Sequence, residues 1–331
     1  MMKKVLVTGA AGFIGSQVVD QLHAKGVDIR GAVLPNESTK NIDGKVSEIV
    51  RGDLLDKAFT KEITKGVDTV FHLAAVYAVW MENWRPLWEV NMQGSRNMLW
   101  SCLESPDVKK VVYTSSLSAI GIKPGQDVSD ETTEFNQYDA TPYVLSKYLS
   151  QQEALGFAEH GLDLTVVNPA FPFGPGDVGP TPTGDIIINM AKGMTRLKLP
   201  GGFNVVDVRD VAAGHILAAE KGKSGEKYIL GNRNLSAEEF CRLVSEIDGK
   251  QQERMIPVSS TVLEGTALVA EWVSKNVTHK KPPISLGAVR YGAQYIYMDC
   301  SKASKELGYQ PRDVRISIRD SLRWFRENGY L

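Results

Sequence analysis

Tyr143 and Lys147 are separated by Val144, Leu145 and Ser146. On an α-helix this spacing puts both side chains on one face, one turn apart. A tyrosine is a poor acid or base at neutral pH, because its ordinary pKa is about 10. An ammonium group one turn away favours the phenolate and is expected to lower that value. The pair is therefore suited to exchanging a proton with a carbonyl or alcohol oxygen. Ser116, within Thr114-Ser115-Ser116-Leu117-Ser118, offers a hydroxyl that can orient the same oxygen. Tyr-x-x-x-Lys is common by chance, so its weight comes from what surrounds it.

The strongest surrounding feature is Thr8-Gly9-Ala10-Ala11-Gly12-Phe13-Ile14-Gly15, which follows an apolar run and opens a helical pattern. In that strand–turn–helix setting the motif has a specific logic. Gly9 permits the tight turn, Gly12 admits a pyrophosphate, and Gly15 allows close helix–strand packing. The N–H groups from Ala11 through Phe13 and Ile14 face a bound phosphate, helped by the positive end of the helix. Asp53, after the third strand, can accept a hydrogen bond from an adenine amino group, and Leu54 can pack on the ring. Leu73, Ala74 and Ala75 end the fourth strand with small side chains that leave room for a cofactor. Asn91, with Gly94 and Asn97, patterns the next helix. Lys147 is placed to hold the ribose next to the nicotinamide.

The end of the second strand reads Leu34-Pro35-Asn36-Glu37-Ser38-Thr39-Lys40. An acid at the strand end is the usual partner of the ribose hydroxyl in NAD enzymes, and it is missing here. Asn36, Ser38 and Lys40 could contact a phosphate, so NADP is expected in preference to NAD. Tyr77, Trp80, Met81, Trp84 and Trp88 form an aromatic stretch after the fourth strand. Loops at carboxyl strand ends line ligand clefts. An uncharged aromatic wall suits an apolar or aromatic carbonyl substrate. Phe171 and Phe173 are expected to close the other side.

These groups need a scaffold. Strand patterns over Lys3–Thr8, Asp28–Leu34, Val46–Arg51, Val67–His72, Val108–Thr114 and Asp163–Asn168 alternate with helical ones over Phe13–Lys25, Pro86–Ser105 and Thr141–His160. Such alternation predicts βαβ units and a parallel sheet. Pro169–Gly184, with five prolines and four glycines, reads as loop. Beyond it, helices are predicted over Ile186–Met194, Val211–Lys221, Ala237–Ile247 and Ile318–Arg326, with strands over Phe203–Val208 and Lys227–Leu230. The predicted fold is α/β, a Rossmann-type doubly wound parallel sheet with a smaller interleaved C-terminal substrate lobe. The nucleotide-binding body takes residues 1–170 and about 203–221. The lobe takes about 171–202 and 222–331.

The 331 residues carry 38 basic and 39 acidic side chains, a net of −1. That excludes a nucleic-acid binder, or one of anionic membranes, working through bulk charge. The three cysteines and five histidines are scattered without zinc-ligand spacing, so no metal site is expected. No signal peptide or span-length apolar stretch is read from the sequence, so membrane insertion is not expected and a cytoplasmic setting is.

Together, the glycine turn, Ser116, Tyr143 and Lys147 resemble the extended short-chain dehydrogenase/reductases, the epimerase/dehydratase superfamily, over nearly the whole chain. The resemblance implies that Ser116, Tyr143 and Lys147 are catalytic. It also implies that Thr114, Asn168, Pro169 and Phe171 lie against the cofactor, and that the protein is a homodimer through helices near Arg85–Ser105 and Tyr143–His160. The stretches Asn168–Gly176, Pro180–Gly184, Asp210–His215, Tyr228–Gly231 and Trp324–Leu331 are similar to the dihydroflavonol reductase-like branch, especially to hopanoid-associated sugar epimerases. Two enzymatic reactions fit: reduction of a small-molecule carbonyl (or oxidation of the alcohol), and epimerisation of a sugar or nucleotide sugar. A dinucleotide sensor without catalysis would be expected to lose Tyr143 or Lys147. Nucleotide-sugar enzymes of the superfamily carry a diphosphate-binding arginine where this chain has Phe203, which favours the reductase, although Arg290 could substitute. The acidic pair of the 4,6-dehydratases is replaced by Leu117-Ser118, which excludes that chemistry.

Overall fold

A computed structural model of the chain describes residues 2–78, 80–193, 197–198, 200–250, 256–280 and 282–331. In chain order its first half contains β1 (Lys4–Thr8), α1 (Phe13–Ala24), β2 (Asp28–Val33), β3 (Glu48–Arg51), α2 (Lys57–Ile63), β4 (Thr69–His72), α3 (Arg85–Trp88), a π-helical turn (Glu89–Gly94), α4 (Ser95–Glu104), β5 (Lys110–Thr114), a 3₁₀ turn (Leu117–Ala119), α5 (Pro142–Glu159) and β6 (Leu164–Pro169). The second half adds β7 (Phe171–Phe173), α6 (Pro182–Ala191), β8 (Leu197–Lys198), β9 (Gly202–Asp207), α7 (Val208–Lys221), β10 (Lys227–Leu230), β11 (Arg233–Ser236), α8 (Ala237–Ile247), β12 (Ile256–Pro257), α9 (Ser260–Val273), a second π turn (Ser274–Thr278), α10 (Leu286–Gly292), β13 (Tyr295–Ile296), α11 (Ser301–Leu307) and α12 (Val314–Glu327).

The main sheet has seven parallel strands in the order β10-β6-β5-β4-β1-β2-β3. Its central strands are buried on both faces, which is why they read as continuous β-branched runs rather than alternating ones. Leu6, Ile29, Phe71 and Tyr113 are among the fully buried side chains. Each such Leu, Ile or Phe contributes about 1.5–3 kcal/mol of burial. The order reverses between β1 and β4, and ligands bind at such switch points beyond the carboxyl strand ends. β1 pairs with both β2 and β4, so the glycine turn after Thr8 opens directly into that crevice.

Local sequence sets the helix ends. The α1 helix closes with Gly26 in the left-handed conformation, φ 71°. The Thr141 hydroxyl accepts from Val144 N–H and Pro142 occupies the first turn of α5, which fixes where Tyr143 and Lys147 begin.

The second sheet centres on β9, with β11 antiparallel on one side and β7 and β13 parallel on the other. Here the strand pairing departs from the sequence-based division. Residues 203–207 form part of β9 in the small sheet, where Val205 and Phe203 pack with Phe173, Leu235 and Phe240, while Val206 faces the core of the main sheet. Lys227–Leu230, assigned by sequence to the lobe, forms the edge of the main sheet beside β6, where Tyr228, Ile229 and Leu230 are fully buried. Between them α7 packs on α1 in the body. The expected loop 169–184 holds β7 and the start of α6, because the Thr181 hydroxyl caps Gly184 N–H and Pro182 suits the first turn. α6 ends at Ala191, and Met194 of the predicted helix lies outside the described residues. The helix predicted over Pro86–Ser105 is interrupted by the π turn, whose extra residue per turn redirects Asn91.

Candidate active site

Ser116, after β5, and Tyr143 and Lys147, on the first turns of α5, are brought together. The Ser116 hydroxyl is close enough to the Tyr143 hydroxyl to favour its phenolate, and Ser118 N–H donates to Ser116 Oγ at 3.2 Å. Lys147 Nζ donates to the carbonyl of Thr114 at 2.8 Å. It also lies 5.8 Å from the Tyr113 ring centroid. Ser115 is buried, and among the described residues its hydroxyl has no partner.

The expected lowering of the Tyr143 pKa is not found. Burial pushes it up to about 12, and the nearby Ser116 hydroxyl offsets only part of this. Lys147 is pushed down to about 8 by the same loss of water. Desolvation opposes both charged forms.

Behind the site, Thr8 Oγ1 accepts from the N–H groups of Leu73 and Ala74, each at 3.2 Å. Its own proton therefore goes to His72 Nδ1, 2.9 Å away. His72 Nε2 must then carry a proton and donate to Ser95 Oγ at 3.0 Å. Ser95 in turn lies near Tyr113, whose ring centroid is 5.8 Å from Lys147 Nζ. Burial, reinforced by the Lys147 charge, drives the His72 pKa down to about 3 and keeps the ring neutral. His215 is neutral for the same reason, at about 4. Its Nδ1 donates to Val211 O at 2.8 Å, so the Thr114 hydroxyl donates to its Nε2 at 2.9 Å and fixes the strand end.

The glycine turn fits a dinucleotide pyrophosphate. Gly9 has φ 65°, and its missing Cβ would lie 3.0 Å from Ala74 Cα and N. A Cβ on Gly15 would lie 2.0 Å from Gly9 O. Gly12 begins α1 with no side-chain cap, and the first turn has no acid to compete for its N–H groups. Ala11 and Ile14 back onto the main core. Phe13 opens the helix, and Asn41 Nδ2 pins the carbonyl of Ala11 at 3.2 Å.

At the adenosine end, Leu34 and Asn36 are exposed beside Lys40, also exposed. Glu37 folds back so that its Oε2 accepts from Leu34 N–H at 3.0 Å. A carboxylate therefore stands at the end of β2 after all, supplied by a residue three positions later. Arg51, at the end of β3, donates from Nη1 to the carbonyls of Leu34, Pro35 and Glu37. Asp53 accepts from Leu55 N–H at 2.9 Å, and Leu54 is buried in the core. Asn97 Nδ2 holds the carbonyls of Leu54 and Leu55.

Several expected contact residues act as braces. The Asn91 carboxamide exchanges two bonds with the Val76 backbone and donates to Ser146 Oγ at 3.1 Å. It therefore aims the segment after β4, with Ala75 exposed on it, rather than facing the cleft. Asn168 donates to Ser116 O at 2.7 Å and to Gln151 Oε1 at 2.6 Å, while its own Oδ1 is buried without a partner among the described residues. Pro169 ends β6.

On the substrate side, the Tyr77 ring lies 4.8 Å from that of Tyr143. Phe171 lies 6.3 Å from Tyr291 and 5.0 Å from Phe203. Phe173 is corrected: it is fully buried against Phe203 and Phe240 and does not reach the cleft. A cavity of about 330 Å³ next to Thr141 and Pro142 is lined by Trp80, Trp84, Arg290 and Tyr291. Tyr291 comes from α10, and its pKa is raised by burial and by the nearby hydroxyls of Tyr77 and Tyr143. Sequence reasoning missed it, along with Glu37, Arg51, Asn41 and Gln151. Each is delivered by tertiary folding, with no spacing rule to betray it. Among the described residues no group of histidine, cysteine or carboxylate side chains could hold a metal ion.

The sequence model of the NAD dependent epimerase/dehydratase family matches residues 5–231. A protein of Synechocystis sp. assigned provisionally as a dihydroflavonol 4-reductase is 34% identical over 98% of this chain and 95% of its own length. Sterol demethylase protein B of Methylococcus capsulatus is 31% identical over 98% of this chain and 99% of its own. The solved structure of UDP-glucose 4-epimerase from Thermotoga maritima superposes with a TM-score of 0.79, at 26% identity, over 98% and 99% of the two chains. The glycine turn, the Ser116–Tyr143–Lys147 cluster and these likenesses agree: the chain is an enzyme of the NAD-dependent epimerase/dehydratase family.

Proposed function

We propose that the enzyme interconverts an apolar or aromatic carbonyl compound and its alcohol, with Tyr143 as acid and base. The observation that carries this reading is a run of rings that starts at Tyr143: Tyr77 packs against it, Tyr291 lies near both, and Phe171 stands beside Tyr291. Phe203, at the position where nucleotide-sugar enzymes carry arginine, packs into that run with Phe171. The names of the Synechocystis and Methylococcus relatives point to a flavonol-type and a sterol substrate, not a sugar.

Gly9, Gly12 and Gly15 would hold the pyrophosphate of the dinucleotide, whose nicotinamide would supply or accept a hydride when bound. The chain's own groups manage the oxygen. Ser116 and Tyr143 donate to it, and Tyr143 gives up its proton as negative charge grows there. Lys147, still mostly protonated at neutral pH, stabilises the phenolate left behind. The ring wall excludes water and strengthens these interactions.

For the cofactor, NADP remains our reading on the strength of Arg51 and Lys40, with the Glu37 carboxylate opposing it and favouring NAD. We further propose a cytoplasmic homodimer joined through α4 and α5, on which Trp100 and Leu149 are exposed.

A second reading, nucleotide-sugar epimerisation, draws on Arg290 beside the cavity. A panel of aryl aldehydes and apolar ketones, tested with NADPH and NADH, separates the two. Oxidation of the cofactor by that panel supports the reductase. Inert carbonyls together with epimerisation of UDP-glucose would overturn it.

A further inference from the structure

The helix α9 has two unlike faces. Leu263 and Ala267 are buried against Val289 of α10. Its only two charged residues face α10 as well. Glu264 pairs with Arg290 at 3.1 Å, and Glu271 accepts from Leu286 N–H at 2.9 Å. The opposite face is apolar and, among the described residues, unpartnered. Val262, Leu268, Val269 and Trp272 are 54–63% exposed, as is Val277 just beyond the helix. At 3.6 residues per turn the four helix positions fall within an arc of about 120° that carries no charge.

Next to this face the chain turns sharply. His279 takes the left-handed conformation, φ 51°, and its N–H donates to Ser274 O at 2.8 Å. The turn leaves Lys275, His279 and Lys280 exposed beside Trp272 and Val277. An apolar arc with an indole, followed by basic side chains and free of acids, is the composition of a helix that lies in the plane of a membrane surface. Tryptophan favours the headgroup level, and lysines there are attracted to anionic lipid. The patch is far smaller than a stable protein interface, which takes roughly 20–30 residues a side. It is also distinct from membrane insertion: among the described residues no helix is long and apolar enough to cross a bilayer.

We propose that α9 and the turn after it dock the enzyme onto an anionic phospholipid surface. The net charge of −1 does not register such a site, because its charge is local. The inner side of the same helix borders the cavity through Glu271, so the proposed lipid contact lies on the side of α9 away from that cavity. The proposal goes beyond the assigned chemistry and does not depend on it.

The test is sedimentation of the full-length protein with phosphatidylcholine vesicles, with and without phosphatidylglycerol. The expected result is binding to the anionic vesicles that weakens with salt. Lys275→Gln and Lys280→Gln should each reduce that binding roughly fivefold. Val269→Ser with Trp272→Ser should abolish it, while circular dichroism and dinucleotide binding stay as in the wild type. Absence of wild-type binding to either vesicle would overturn the proposal. So would binding indifferent to these substitutions, or self-association in solution that the Val269→Ser/Trp272→Ser variant abolishes.

Discussion

The Tyr77 ring lies 4.8 Å from the Tyr143 ring, tilted by 47°. Tyr77 belongs to the segment after β4 that Asn91 braces through Val76. Tyr143 starts α5. A ring delivered by one crossover of the sheet thus walls the hydroxyl delivered by another, and Tyr291 reaches the same place from α10.

Tyr291→Leu should therefore raise KM for an aryl ketone. A ring–ring contact is worth about 0.5–1.5 kcal/mol, or up to roughly tenfold. Steady-state kinetics on an aryl and an aliphatic ketone check this. An equal effect on both substrates would mean that Tyr291 acts by something other than ring contact.

The two inner glycines should separate binding from folding. Gly12 has an ordinary φ of −69°, and an added Cβ would meet Gly9 O at 3.2 Å, a contact small shifts can relieve. Gly12→Ala should keep a near-native Tm yet weaken dinucleotide binding by roughly tenfold or more, because the methyl stands where the pyrophosphate approaches. Gly15→Ala puts a carbon 2.0 Å from Gly9 O, so both Tm and binding should fall. Thermal melts with and without cofactor report both quantities.

Cofactor choice should turn on two opposed charges. Glu37→Gln removes the carboxylate at the end of β2, and the ratio of kcat/KM for NADPH over NADH should rise by about tenfold. Arg51→Ala should lower it by a similar factor. A ratio unmoved by either change would place the ribose contacts elsewhere.

Stability should fall in acid because His72 is buried neutral. Its folded pKa, about 3, lies below its ordinary value of 6.5, so the unfolded chain takes up the proton first. The stability it contributes is complete above pH 6.5 and is lost as pH falls toward 3, by on the order of 1.4 kcal/mol per unit. His215 acts in the same sense down to about pH 4. Asp177, raised to about 6 by burial, acts oppositely between pH 6 and its ordinary value. The clean readout is thus the difference between wild type and His72→Gln in urea unfolding from pH 7 to 4. The variant should lose less stability on acidification, and parallel curves would show that His72 is protonated in the folded protein.

Much of this was legible in the sequence. The Gly9–Gly15 turn and the Tyr143–Lys147 spacing are local patterns, and helical or turn geometry alone fixes what they can do. The central strands β1, β4, β5 and β6 are legible because buried parallel strands are largely apolar, β-branched runs. What escaped depends on tertiary contact. β9 looks like any strand, and only its aromatic neighbours place it in the small sheet. Phe173 and Leu54 are apolar residues next to the cleft whose burial no pattern reveals. Asn91 fits either a contact or a brace by its position, and only its hydrogen bonds in the folded chain show that its amide is used by Val76. The Tyr143 pKa was misjudged because spacing shows the ammonium but not the loss of water around the phenol.

The central claim is that Tyr143 moves the proton to and from the substrate oxygen. It is tested most directly by single-turnover reduction of an aryl ketone with deuterium-labelled NADPH or NADH, comparing wild type with Tyr143→Phe. The account predicts deuterium on the carbinol carbon of the wild-type product. It predicts a rate roughly 10²–10⁴ times slower in the variant, with cofactor affinity unchanged. A Tyr143→Phe enzyme that transfers deuterium at the wild-type rate would contradict it.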